Sequence, residues 1–86
     1  MRSLVVDDEF TALSKMVAIL SEYGECEAAT NGRQALEMFT RAAEEGNPFS
    51  LIAVDIQMPE FNGFELLERI QKTERYMHLT GSKKIM

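Results

Sequence analysis

The stretch Leu51-Ile52-Ala53-Val54-Asp55-Ile56-Gln57-Met58-Pro59 decides the fold. Its four leading apolar residues, introduced by Asn47-Pro48, read as a parallel strand buried on both faces. Asp55 then ends that strand at its carboxyl end, where open α/β sheets place their ligands. Pro59 bars an immediate helix, so the acid heads an exposed loop rather than capping the next element.

Working outward, a second apolar run near the N-terminus has the same form. Ser3 to Val6 reads as a strand, and it too ends in acid, Asp7-Asp8-Glu9. Acids at this place have an ordinary explanation, because they cap the following helix and suit its N-terminal dipole. Two neighbouring parallel strands, however, would bring Asp7, Asp8 and Asp55 to one rim of the sheet. Clustered carboxylates repel one another unless a cation neutralises them. The economical reading is a Mg²⁺ site built around a reactive carboxylate.

The remaining pattern is strict alternation. A helix is expected from about Thr11 to Tyr23, with Leu13, Met16, Val17 and Leu20 on one face and Gly24 as a left-handed cap. Glu25 to Ala29 is a more polar, edge-like strand, and Thr30-Asn31-Gly32 a turn. A second helix is expected over about Arg33 to Glu45, with Leu36, Phe39 and Ala43 inward, stopping at Gly46. A third begins near Gly63, with Phe64, Leu67 and Ile70 buried, before a polar stretch from Gln71 to Arg75. His78 to Lys84 reads as a polar loop, and Ile85-Met86 as the first half of a fourth strand. Strand and helix in turn imply βαβ crossovers and a parallel sheet.

Composition narrows the function. With 86 residues, 45% hydrophobic and 27% charged, the sequence is that of one ordinary globular domain, and a small one. A net charge of −5 argues against a nucleic-acid surface. Cys26 is the single cysteine, so no intrachain disulfide forms, which fits a reducing cytoplasm. No signal segment opens the chain and no apolar stretch approaches membrane-spanning length. His78 has no ligand partner at metal spacing, and Gly81-Ser82-Lys83 lacks the first glycine of a phosphate loop. Of the six methionines, Met16, Met38 and Met77 read as core filling.

Taken together, Val5-Val6-Asp7-Asp8-Glu9, Ala29-Thr30-Asn31-Gly32 with Ala35-Leu36, Asp55-Ile56-Gln57-Met58-Pro59 and Gly63-Phe64-Glu65-Leu66 resemble the receiver domain of two-component response regulators. The resemblance runs over the whole chain, residues 1–86, and implies an α/β, flavodoxin-like, doubly wound parallel sheet. By the same resemblance, Asp55 matches the phosphoacceptor, Asp8 the direct Mg²⁺ ligand, and Asp7 the acid that holds the metal through water. Gln57 matches the position whose backbone carbonyl completes the metal shell. Pro59 and Gly63 match the residues that shape the following loop, while Asn62 stands where the family usually carries Asp.

The family fold continues through the rest of its fourth strand, a fourth helix, a fifth strand and a fifth helix. It includes a Ser or Thr and a Lys that contact the phosphoryl group. The domain is therefore expected to be incomplete here. A sensor histidine kinase or phosphotransfer protein is the implied donor, with an output partner beyond it. The chain is expected to be a phosphoacceptor rather than a turnover enzyme. Two rivals stand beside this reading. One is a docking or dimerisation module that keeps the acids without using them. The other is a Mg²⁺-dependent phosphatase, which would want a general acid two residues after Asp55, where Gln57 cannot serve. A homodimer is expected too, with the third strand left near an open edge and the sheet face beside the first helix bare.

Overall fold

The structure is a computed structural model and describes residues 1–55, 63–76 and 83–85. Its elements follow in the order β1 (Arg2–Val6), α1 (Phe10–Leu20), β2 (Glu25–Ala29), α2 (Gly32–Glu44), β3 (Leu51–Val54), α3 (Gly63–Tyr76) and β4 (Lys83–Ile85). The strands form one sheet in the order β2-β1-β3-β4, every pair parallel. The register sets Val6 beside both Ala29 and Val54, so three strands end together at one rim.

The central strands are apolar because both of their faces are covered. Leu4, Val5, Val6 and the whole of β3 are buried, as the unbroken Leu51–Val54 run requires. The main core lies between the sheet and the helices α2 and α3. Phe39, Leu66 and Ile70 are fully enclosed there with Leu4 and Ile52, and Leu36, Met38 and Leu67 pack at its margin. Burying a side chain of the size of Leu66 or Ile70 stabilises the fold by about 2 kcal/mol, so these few residues outweigh any surface pairing. No described helix is long and apolar enough to cross a membrane.

The opposite face is thinner. Of α1 only Leu13 is buried, while Met16, Val17 and Leu20 are half-covered and Ile19 is exposed. The expectation of a bare face beside the first helix thus finds partial cover. On the other side the third strand does lie near an edge, since it is followed only by the three-residue β4, which pairs with Leu51, Ile52 and Ala53.

Other boundaries move for identifiable reasons. The first helix ends at Leu20, and Ser21–Tyr23 tightens into a single 3₁₀ turn. Gly24 is not a left-handed cap: at φ 143° and ψ −165° it turns the chain directly into β2. A Cβ there would lie 1.9 Å from the Met1 carbonyl oxygen, so glycine is demanded twice over. Gly46, at φ 77°, does close α2 in the left-handed region, with its N–H donating to the Ala43 carbonyl. Helix α3 carries on through Gln71–Arg75, and Glu74 in that polar stretch is buried. Leu66 joins Ile70 as its deepest residue, where the sequence pointed to Leu67. Lys83 and Lys84 belong to β4, not to a loop. The expectations for Phe64, Met77, His78, Gly81, Ser82 and Met86 concern side chains or segments outside the described residues.

Candidate functional site: an acidic rim

Three strands end at the rim, and the ladder carries Asp7 and Asp55 one residue beyond them. The Asp7 N–H donates to the Ala29 carbonyl of β2 at 3.1 Å, and the Asp55 N–H donates to the Val6 carbonyl of β1 at 2.9 Å. Backbone bonds from two directions therefore fix where the carboxylates start. Asp7, Asp8 and Asp55 each offer an oxygen within 4.8 Å of the others. Asp8 is exposed, while Asp7 and Asp55 are half-buried. Of the four metal residues expected, these three come together; Gln57, with Pro59 and Asn62, lies outside the described residues.

Three like charges at this spacing conflict. Each pair costs about 1 kcal/mol even at the dielectric of water, and more as burial lowers it. Three such pairs add up to a sizeable share of the roughly 5 kcal/mol that a small domain has in hand. The strain shows at Asp7. Burial pushes its carboxyl above the ordinary value, the Glu9 N–H pulls it down, and Asp55, by charge and hydrogen bond, and then Asp8 push it up again.

The acid trio Asp7-Asp8-Glu9 divides by role. Glu9 follows the ordinary explanation: it is the N-cap of α1, and its Oε2 accepts the Ala12 N–H at 3.2 Å. Asp7 Oδ1 accepts the Glu9 N–H at 2.9 Å, which turns that carboxylate back over the rim. Beside the acids a cleft of about 390 Å³ runs between α1 and β3, with Met16, Val5 and Ala53 on its apolar side. At the neighbouring turn, Asn31 caps α2 by accepting the Gln34 N–H, and the Gln34 Oε1 accepts the Thr30 N–H.

Such a rim, an all-oxygen donor set at the ends of parallel strands, is what known proteins can be compared with. The family model of the response regulator receiver domain matches residues 3–84. The chain belongs to that family. Among curated relatives, histidine kinase CKI1 of Arabidopsis thaliana is 36% identical over 84 residues, which is 86% of this chain and 8% of that protein. The protein-glutamate methylesterase/protein-glutamine glutaminase of Agrobacterium fabrum is 40% identical over 72 residues, 83% of this chain and 20% of that protein. Among solved structures, the CKI1 receiver domain complexed with Mg²⁺ and BeF₃⁻ superposes with a TM-score of 0.81 at 32% identity. That match covers 92% of this chain and 60% of the other. This receiver thus spans a small part of the curated relatives and about 60% of the solved domain. The esterase named among its relatives is aligned over only that fifth of its length.

The donor set of this receiver fits a small hard cation. Carboxylate oxygens are what Mg²⁺ takes, a few at a time with water filling the rest. The residue that sequence reasoning passed over is Arg2. It sits at the far end of β1, stacked 4.6 Å over the Phe49 ring and paired with Glu27. A lone cation opening an apolar strand was the signal that could have found it.

Proposed function

We propose that Asp55 accepts a phosphoryl group from a phosphohistidine on a histidine kinase or phosphotransfer protein. In this reading Mg²⁺ would be held by Asp8 directly, by Asp55, by Asp7 through water, and by the backbone carbonyl of Gln57. The supporting observation is the convergence of the Asp7, Asp8 and Asp55 carboxylates within 4.8 Å at the strand ends. Added to it, relatives of this chain have been crystallised with Mg²⁺ and a beryllofluoride, a stand-in for a phosphoryl group.

The chain's own contribution is position and charge. A carboxylate is a modest nucleophile, so the ladder bond that anchors the Asp55 N–H matters more than intrinsic reactivity. An Asp55 oxygen bonds to phosphorus as the P–N bond of the donor breaks, and the leaving imidazole nitrogen keeps the electron pair. When bound, Mg²⁺ would supply positive charge among the acids and neutralise the phosphoryl oxygens. Asp7 and Asp8 hold that charge in place. The product adds negative charge at the rim, and that change biases the surface an output partner reads. Turnover is not part of the reading, since Asp55 is consumed as the acceptor. The unpaired Cys26 suits a cytoplasmic setting for it.

The test is direct. With acetyl phosphate and Mg²⁺, the chain should gain the mass of one phosphoryl group, and Asp55→Asn should gain none. Equal labelling of the two would move the acceptor elsewhere. If neither is labelled and neither responds to beryllofluoride, the docking module is the better reading.

A further inference from the structure

We propose that Glu9 is a positioning residue for the metal site: by capping α1 it holds its own backbone N–H where that group orients the Asp7 carboxylate. The inference rests on the Mg²⁺ reading above and deepens it. Glu9 faces the rim and the helix at once. Its N–H donates to Asp7 Oδ1 at 2.9 Å, while its Oε2 accepts the Ala12 N–H at 3.2 Å and its carbonyl accepts the Leu13 N–H at 3.0 Å. With φ −99° and ψ 114° its backbone is extended, the usual state of a residue just before a helix. The side-chain bond to Ala12 locks that state, and the locked backbone aims the N–H at Asp7.

The arrangement also explains why a third acid in a row does not simply join the cluster. Glu9 lines the cleft beside Asp7 and Asp55, yet its carboxylate is engaged by a helix N-terminus. There it meets unpaired N–H groups and the favourable end of the helix dipole. One negative charge is thereby drawn off a rim that already holds three. Glutamate is not among the best N-caps, which are Asn, Asp, Ser and Thr. A shorter neutral cap should therefore do the same work, and this makes the idea separable from a plain effect of charge.

The experiment is a Mg²⁺ titration followed by amide shifts, on wild type and on Glu9→Ala, Glu9→Asn and Glu9→Gln. Loss of the cap in Glu9→Ala should weaken Mg²⁺ roughly tenfold, the lower end of what losing a ligand-orienting partner costs. Glu9→Asn, a better cap without charge, should stay within about twofold of wild type, and Glu9→Gln should fall between Asn and Ala. Hydrogen exchange of the residue-9 amide should quicken in the alanine variant alone. If Asn and Gln are as weak as Ala, the Glu9 charge acts on the metal directly and the positioning role is wrong. An unchanged affinity in Glu9→Ala overturns it as well. Absence of Mg²⁺ binding by wild type would instead remove the metal reading on which the proposal stands.

Discussion

The two ends of β1 solve the problem of charge in opposite ways. At the amino end, Arg2 meets the Glu27 carboxylate, the Asn47 carbonyl and the Phe49 ring beneath it, while its buried Nε lies 3.6 Å from Glu25 Oε2 without a hydrogen bond. Five residues away, at the carboxyl end, the like charges of Asp7, Asp8 and Asp55 gather within 4.8 Å of one another. The first sets opposite charges together and ties β1 to its neighbours. The second crowds like charges, and such crowding at a strand end is where chemistry or a ligand enters.

The largest effect that would sharpen this contrast lies at the amino end. Arg2 joins β1 to β2 and to the segment before β3, with only 18% of its side chain exposed. Arg2→Ala should cost about 2 kcal/mol in urea unfolding, from the lost charge-assisted bonds and the stacking on Phe49. Glu27 is partly exposed and can rehydrate, which keeps the cost below that of a fully buried pair. Mg²⁺ affinity should not change, because the two rims are opposite ends of the sheet. A variant of unchanged stability that bound Mg²⁺ less tightly would break the division.

Next in size is the metal itself. Mg²⁺ at ten times its dissociation constant should stabilise the wild type by about 1.4 kcal/mol, seen as a raised melting temperature. Asp8→Ala should lose most of that rise, and Asp7→Ala less, if Asp8 is the direct ligand and Asp7 acts through water. An undiminished rise in Asp8→Ala would put the cation elsewhere.

How much of this was legible beforehand differs between the rims for a physical reason. Apolar runs that end in acid are side-chain patterns, so β1, β3 and the meeting of Asp7, Asp8 and Asp55 could be read from the sequence. Backbone geometry leaves weaker traces. Lys83 and Lys84 look like loop residues because their place in β4 is defined by pairing with Leu51 and Ile52, and only Ile85 of that strand carries an apolar signal. Glu9 cannot be told from Asp7 and Asp8 by composition; only the position where α1 begins gives it a different task. Arg2 pairs across 25 residues with Glu27 and across 45 with Asn47, and no local window contains both ends of such a contact. Leu66 displaced Leu67 as the deepest residue of α3 through a rotation of one position, which spacing alone does not resolve.

The smallest effect should come from Asp7, and its sign tests whether the rim crowds like charges in the sense argued. Burial, then Asp55 and Asp8, hold the folded-state carboxyl above its ordinary value against the pull of the Glu9 N–H. The folded chain thus keeps that proton to higher pH than the unfolded chain, whose Asp titrates near about 3.9. Stability must fall as pH rises from there through the raised value, and the loss is complete once the pH stands above it. Asp7→Asn keeps an oxygen to accept the Glu9 N–H but sheds the charge. In a chelating buffer it should be slightly more stable than wild type at pH 7, with the advantage shrinking on acidification and gone once Asp7 is protonated in both states. Added Mg²⁺ should reverse the order, because the charge that was a liability then has a partner. Paired urea titrations at acid and neutral pH, with and without Mg²⁺, measure all four corners. A variant less stable than wild type at pH 7 in chelator would mean that Asp7 already has its positive partner within the chain, and the contrast between the two rims would fail.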